Sequence, residues 1–381
     1  MAAWAALILL LFVGAGCSGL CLERPLKVRE DDWPTFGKTA NHINATKQTI
    51  NPPLTLEWEN DITGGIGNGS PLIIDSLLLI GNLRGELYAI HVRTGKRVGY
   101  VNLGDAIQGS PVIDGSLAIV ATSNSKESLV AFDLLDGKVR WKRSYGDIEV
   151  TPLLLNQKIF VATTTGVLYC VDRATGDLAW KFEIPENIRL KGIRSSPAGE
   201  GTTVVFGADD GAVYAFDAET GRQRWKFQTD AGVVAPPSVM DGTVYVGNLK
   251  GTLYALDLTS GRLGWKFESG SSIYANPTLV HGLVVFGTVG GTVFSLHARD
   301  VSTFWKNDLG SPINSGAVAA GSMIYVGTLK KLLFAVRLVD GSVAWKGEVT
   351  GRIKTTPAVA DGRLFVATDE RLVLSFRGTT Q

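Results

Sequence analysis

Tryptophan returns in this chain at a nearly constant stride, and a stride of that size admits few folds. Trp141, Trp180, Trp225, Trp265, Trp305 and Trp345 stand about 40 residues apart, and Trp58 and Tyr100 carry the series towards the N-terminus. Most close a near-copy of one phrase: AFDLLDGKVRW (131–141), CVDRATGDLAW (170–180), AFDAETGRQRW (215–225), ALDLTSGRLGW (255–265). A second marker keeps step at Pro71, Pro111, Pro152, Pro197, Pro237, Pro277 and Pro357, with Ser315-Gly316 in the one gap, which makes eight units. A unit this short cannot bury a core alone, so the units must stack or close radially.

Within one unit, PPSVMDGTVYVGNLKGTLYALDLTSGRLGWKF (236–267), β-branched and aromatic runs are divided by Asp-Gly, Lys-Gly and Ser-Gly pairs. Four strands, A to D, fit that spacing, and Asp241-Gly242 suits a two-residue hairpin because glycine takes positive φ without steric cost. The 45 glycines and a charged fraction of only 19% agree with many tight turns and few solvated helices. The expected fold is all-β: an eight-bladed β-propeller over 54–381, closed so that no long edge is left open. The last unit, from Thr356-Pro357, has strands A to C but no tryptophan strand, while LTLEWEND (54–61) carries Trp58 ahead of the first proline marker. That N-terminal segment is expected to supply the missing strand D and clasp the ring.

The phrase A-x-D-x-x-x-G-x-x-x-W resembles the docking motif of quinoprotein-like (PQQ-repeat) eight-bladed propellers. The resemblance implies that Trp58, Trp141, Trp180, Trp225, Trp265, Trp305 and Trp345 are structural. Each packs between neighbouring blades against a glycine-containing stretch, the alanine leaves room, and the aspartate holds the C-to-D turn. His91, His297 and Arg337 replace that aspartate, and Gly99 replaces the first tryptophan. Those blades are expected to dock less tightly.

Residues 1–22 carry no charge, and 5–13 has the length of a signal-peptide core. Small residues lead into Cys17 in a pattern similar to a bacterial lipoprotein signal, which implies lipidation of Cys17; an uncleaved membrane anchor is the alternative. Under either reading the remaining chain is exported, and the lipoprotein reading puts it on the periplasmic side of the outer membrane. Residues 23–53 read as a tether leading to the propeller, with WPTFG (33–37) either an aromatic plug against the body or an irregular lead-in. Cys170 occupies the alanine position of its phrase and is expected to be a small buried residue, not half of a disulfide.

With 37 basic and 36 acidic side chains, the chain has no overall field to attract nucleic acid. Quinoprotein dehydrogenases with similar blades hold pyrroloquinoline quinone with an adjacent cysteine pair, a calcium ion and an aspartate base. This chain has no adjacent cysteines, and Asp209, Asp210 and Glu149 fall in turns where solvated carboxylates are usual. His42, His91, His281 and His297 stand apart, without the spacing of a zinc site. The expectation is no catalytic residue, no cofactor and no metal, the alternative being a PQQ-dependent dehydrogenase or a small-ligand-binding propeller.

Length, export signal and Cys17 together resemble the BamB family of propeller lipoproteins. That resemblance implies a non-catalytic scaffold whose loops meet the barrel-forming subunit of an outer-membrane assembly complex. EIPENIRLKGIRSSP (183–197) lengthens the Trp180 to Trp225 interval by five residues relative to the next one. By the same resemblance, Ile188, Leu190 and Lys191, joined by Arg194, are the expected partner contacts, although Gly232 and Val234 stand where the family has acidic residues. Around the channel mouth, Arg189, Lys191, Arg194, Lys250, Lys330, Lys331, Arg352 and Lys354 are expected to outnumber acids.

Overall fold

Eight antiparallel sheets, each running A-B-C-D from the axis outwards, follow one another around a central channel. The computed structural model describes residues 19–123, 126–186 and 188–379, so Cys17 and the export segment lie outside the described residues. Blades 1 to 7 occupy 72–102, 112–143, 153–183, 198–228, 238–268, 278–308 and 318–348, and blade 8 combines 358–377 with Thr55–Asp61. Strand A of blade 8 lies against strand A of blade 1, which completes the ring. Blade 7 differs from the four-strand expectation, because Ala45–Thr46 adds a fifth, parallel strand beside Ala319–Ala320.

The apolar pattern of each strand follows from its place in the blade. Thr243–Gly247 and Thr252–Asp257, strands B and C of blade 5, are buried almost throughout because neighbouring blades cover both their faces. A strand covered twice reads as a continuous apolar run. Leu263–Glu268, the outermost strand D, alternates between exposed and half-buried positions because one side meets solvent. Asp241 and Gly242 join A to B with φ of 50° and 70°, the pair of positive values that a type I′ turn demands.

Both ends of the chain meet in blade 8. Thr55–Asp61 pairs antiparallel with Leu372–Arg377, placing Trp58 opposite Ser375. Arg363, nearly buried, reaches across with Nε 2.6 Å from a Glu57 oxygen. The Trp58 indole donates to the carbonyl of Val92 in blade 1 at 2.9 Å. Equivalent bonds run from Trp180 to Ala218, Trp225 to Leu258, Trp265 to Ala298 and Trp305 to Leu338. In each case the acceptor belongs to the residue after the turn position, and for Trp58, Trp180, Trp225 and Trp305 the ring lies on the next blade's turn glycine, at Gly95, Gly221, Gly261 and Gly341. Trp141 lies the same way on Gly176, but its indole N–H has no protein acceptor. Trp345 has no C-to-D turn to meet, since that turn in blade 8 is where the chain is split, and it packs instead near Phe376.

Residues 23–53 do not hang free as a tether. Arg24 and Arg29 both pair with the buried carboxylate of Asp75 in blade 1, and Trp33 exchanges backbone bonds with Ile73. The segment then crosses the ring: the carbonyls of Ala40, Asn41, Ile43 and Asn44 accept from Gly199, Val239, Leu279 and Ala319, the strand A amides of blades 4 to 7. Gln48 takes the Gly362 amide of blade 8. Of the two readings of WPTFG, the structure has the plug, with Trp33 fully buried and Phe36 at 6% exposure.

His42 is the one ionisable group sealed in this crossing. Its ring meets Phe36 edge-on at 4.9 Å, and Nδ1 lies 3.0 Å from the Pro237 carbonyl, so the neutral ring donates there. Burial pushes its pKa down to about 4. An unfolded histidine takes its proton near pH 6.5, whereas the folded one does not until about pH 4. The stability contribution is therefore complete above pH 6.5 and declines as pH falls towards 4, by about 3 kcal/mol. Denaturant titrations at pH 7 and 4.5 should show that decline in the native chain and a smaller one in His42→Phe. An equal pH dependence in both would rule the histidine out as its source.

Candidate functional site

The strands' D-to-A joints open on the face opposite the C-to-D turns, and there the 183–197 loop is built from two fixed points. The Ile184 amide donates to Gly166 and the Ile193 amide to Thr163, and both isoleucines are buried. Between blades 5 and 6 the corresponding amides are Ser269, bonded to Gly251, and Ile273, bonded to Asn248. The five extra residues of the longer joint must therefore bulge between the two fixed amides.

The four predicted contact residues do not share one fate. Leu190 stands on the bulge at 63% exposure. Ile188 turns the other way, partly buried against the cluster of blades 2 to 4 that contains Phe206 and Tyr214, so part of its apolar surface is already covered by the fold. Lys191 pairs with Glu186 at 3.3 Å, and Arg194 Nε lies 3.0 Å from both oxygens of Asp209. Asn187 lies outside the described residues.

A cavity of about 380 Å³ occupies the channel mouth, and Phe36 of the crossing segment lines it. Glu149, Arg194, Val234, Tyr274, Asn314 and Lys354 reach it from six successive blades. Each follows directly after a buried aliphatic residue, from Ile148 to Ile353. That register position is the sequence signal for the channel lining, and it finds the exposed Tyr274, which motif reading overlooked.

Five of the eight basic residues expected on this face stand in ion pairs, sharing four acids among them. Lys354 and Arg352 share Asp369, at 3.3 and 2.6 Å, and Lys250 meets Asp230 at 2.8 Å. Burial would raise Asp369, but hydrogen bonds from the Arg352 backbone and side chain and from Lys354 hold it below the usual carboxylate range. The Lys250 ammonium, with Tyr254 and Asn248, does the same for Asp230. Lys191 finds its acid within its own joint, whereas Arg194, Lys250, Arg352 and Lys354 find theirs 15 to 20 residues away, between a joint and a B-to-C loop. Asp209 and Asp210, weighed above as catalytic acids, serve Arg194 and the Tyr214 hydroxyl.

Among the described residues, no group of three or more His, Cys, Asp or Glu is placed to hold a metal, and no helix is long and apolar enough to cross a membrane. The Cys170 thiol is buried and its pKa pushed up to about 12 by that burial, so it is inert at neutral pH.

Comparisons with known proteins agree with this architecture. Outer membrane protein assembly factor BamB of Legionella pneumophila (strain Paris) is 23% identical over 183 residues, covering 45% of this chain and 46% of the relative. The protein of the same name from Burkholderia pseudomallei (strain K96243) is 25% identical over 160 residues, 40% of this chain and 41% of the relative. The chain thus spans less than half the length of these two curated relatives. The crystal structure of BamB from Moraxella catarrhalis superposes with a TM-score of 0.74 at 21% identity, covering 85% of this chain and 99% of that one. Quinohemoprotein alcohol dehydrogenase from Comamonas testosteroni reaches a TM-score of 0.74 at 16% identity, covering 92% and 81%. At such identities both likenesses speak to the fold alone. One family model, described as Outer membrane protein assembly factor BamB, matches residues 54–182, 164–312 and 289–380 in turn. With the eight blades matched along nearly their whole length, the chain belongs to the family of the outer membrane protein assembly factor BamB.

Proposed function

We propose that this chain is a non-catalytic scaffold of outer-membrane β-barrel assembly, exported and held at the periplasmic side of the outer membrane through a lipid on Cys17. It works without a cofactor, by binding the barrel-forming subunit of the assembly complex. The family description supports the assembly role. The observation that carries the contact is Leu190, an apolar side chain left 63% exposed on a bulge whose two ends are tied down by buried isoleucines. Interfaces concentrate their energy in a few such anchors ringed by polar groups, and here Lys191 and Arg194 form the polar surround.

Leu190→Asp is expected to weaken partner binding by about 2 kcal/mol, roughly 30-fold, while shifting stability by no more than about 0.5 kcal/mol. The measurement pairs co-purification of the barrel-forming subunit from membrane extract with a melting curve. Leu83→Asp, at a 40% exposed position in the B-to-C loop of blade 1, is the control. Retention of the subunit by the Leu190 variant, or its loss only through melting of the ring, would sink the assignment.

A further inference from the structure

One seam of the ring lacks its tryptophan. Gly99 stands opposite Ala89 in blade 1 as Trp225 stands opposite Ala215 in blade 4, so no indole is available to dock on blade 2. The sequence predicts a looser joint there. The structure instead shows the joint filled by the chain's own N-terminal segment.

Leu20 is 1% exposed and packs with Leu79, Leu103, Phe132 and Leu134 of blades 1 and 2. A side chain on Gly99 would begin 3.2 Å from the Leu20 Cα and 3.1 Å from the Gly19 carbonyl oxygen. On the other side of the slot, the turn glycine Gly137 faces the Leu20 carbonyl and Cys21 Cβ, at 3.5 and 3.8 Å from its own Cβ position. The hydrogen bond is replaced as well. At five other seams the indole N–H donates to the residue after the turn position; here that residue is Leu134, and its carbonyl accepts from the Leu22 amide at 2.6 Å. Cys21 Sγ donates to the neighbouring Leu135 carbonyl at 2.7 Å. Volume, position and acceptor of the absent indole are all taken over by residues 19–22.

This slot lies at the C-to-D turn end of the outer rim, whereas Leu190 and the channel mouth lie at the other end of the strands. Cys17 precedes Leu20 by three residues, and three residues span at most about 11 Å. We propose that residues 20–22 are a built-in replacement for the missing tryptophan, and that by docking the chain this close to Cys17 they lay the C-to-D turn rim of blades 1 and 2 against the lipid surface. The face bearing Leu190 then points away from that surface, towards a partner. The orientation rests on the Cys17 anchor of the proposed function; the replacement does not.

Gly99→Trp tests both parts, since an indole restored to blade 1 must evict Leu20. In the native full chain, hydrogen exchange at the Leu22 amide is expected to be slowed about 100-fold or more relative to an open chain, and Gly99→Trp is expected to lose most of that protection while the ring still melts cooperatively. An unprotected Leu22 amide in the native chain, or full protection in Gly99→Trp, overturns the replacement. For the orientation, membrane-extracted full chain carrying Cys21→Ser is labelled at Val139→Cys, beside the slot, or at Leu190→Cys. The two are compared in phosphatidylethanolamine–phosphatidylglycerol vesicles with nitroxide headgroups. Quenching is expected to be several-fold stronger at 139 than at 190, with the difference reduced by Gly99→Trp. Vesicle binding with equal quenching overturns the orientation alone, and failure to bind vesicles removes the anchor and the orientation with it. The exchange experiment decides the replacement in either case.

Discussion

Removing residues 55–61 is expected to cost the ring roughly 5 kcal/mol or more. The deletion takes away Trp58, whose ring lies on Gly95 and whose N–H bonds to Val92, and a large-to-small change at a packed tryptophan alone costs about 3–5 kcal/mol. It also strips Glu57 from Arg363, leaving a side chain only 9% exposed with Asp361 as its remaining acid. Leu372–Arg377 becomes an open edge, a template for pairing with other chains. Against the ~5–15 kcal/mol typical of folded domains, such a loss leaves little margin. Denaturant unfolding followed by tryptophan fluorescence, with aggregation monitored by light scattering, should show a lower midpoint and self-association. An unchanged midpoint would exclude the clasp as a main source of stability.

The second large effect is expected at a turn glycine. Gly261 has a φ of 68°, and a Cβ there would stand 2.6 Å from Cδ2 of Trp225, a ring 7% exposed with its N–H fixed on Leu258. Gly242 has nearly the same φ, 70°, but nothing within 4 Å of its Cβ position. Gly242→Ala therefore carries backbone strain alone, about 1 kcal/mol, whereas Gly261→Ala adds the collision with a ring that cannot retreat, for about 3–4 kcal/mol in total. Equilibrium unfolding of both variants measures the difference. In a Trp225→Ala background the two costs should converge, because the collision is gone. Equal costs in the presence of the tryptophan would mean that ring and glycine are not held in contact.

The bulge that carries Leu190 was legible in the sequence, because five extra residues break the stride between Trp180 and Trp225. The fate of Ile188, two residues earlier, was not. Whether an aliphatic side chain on a bulge faces solvent or its own core depends on where Phe206 and Tyr214 sit, in the next blade. The same holds for charge. Arg194 and Lys354 read as a basic rim in sequence, but Asp209 and Asp369 arrive from B-to-C loops 15 residues further on to pair with them. Pairing of that kind follows from loop geometry and leaves no periodic trace.

The sequence by itself determined the ring: blade number, strand order within a blade, the tryptophan phrase and the shared eighth blade. Each rests on a local pattern written several times over, so chance agreement at one copy is corrected by the others. Only the tertiary structure decided what residues 19–50 do. They occur once, carry no period, and find their partners in backbone amides of blades 1 and 4 to 8 and in the slot beside Gly99. A carbonyl accepting from Val239 or Ala319, or Leu20 filling the volume of an absent indole, uses groups that every residue has or a shape that only the assembled ring creates. No side-chain pattern records such a contact, and it exists only once blades distant in sequence have closed around it.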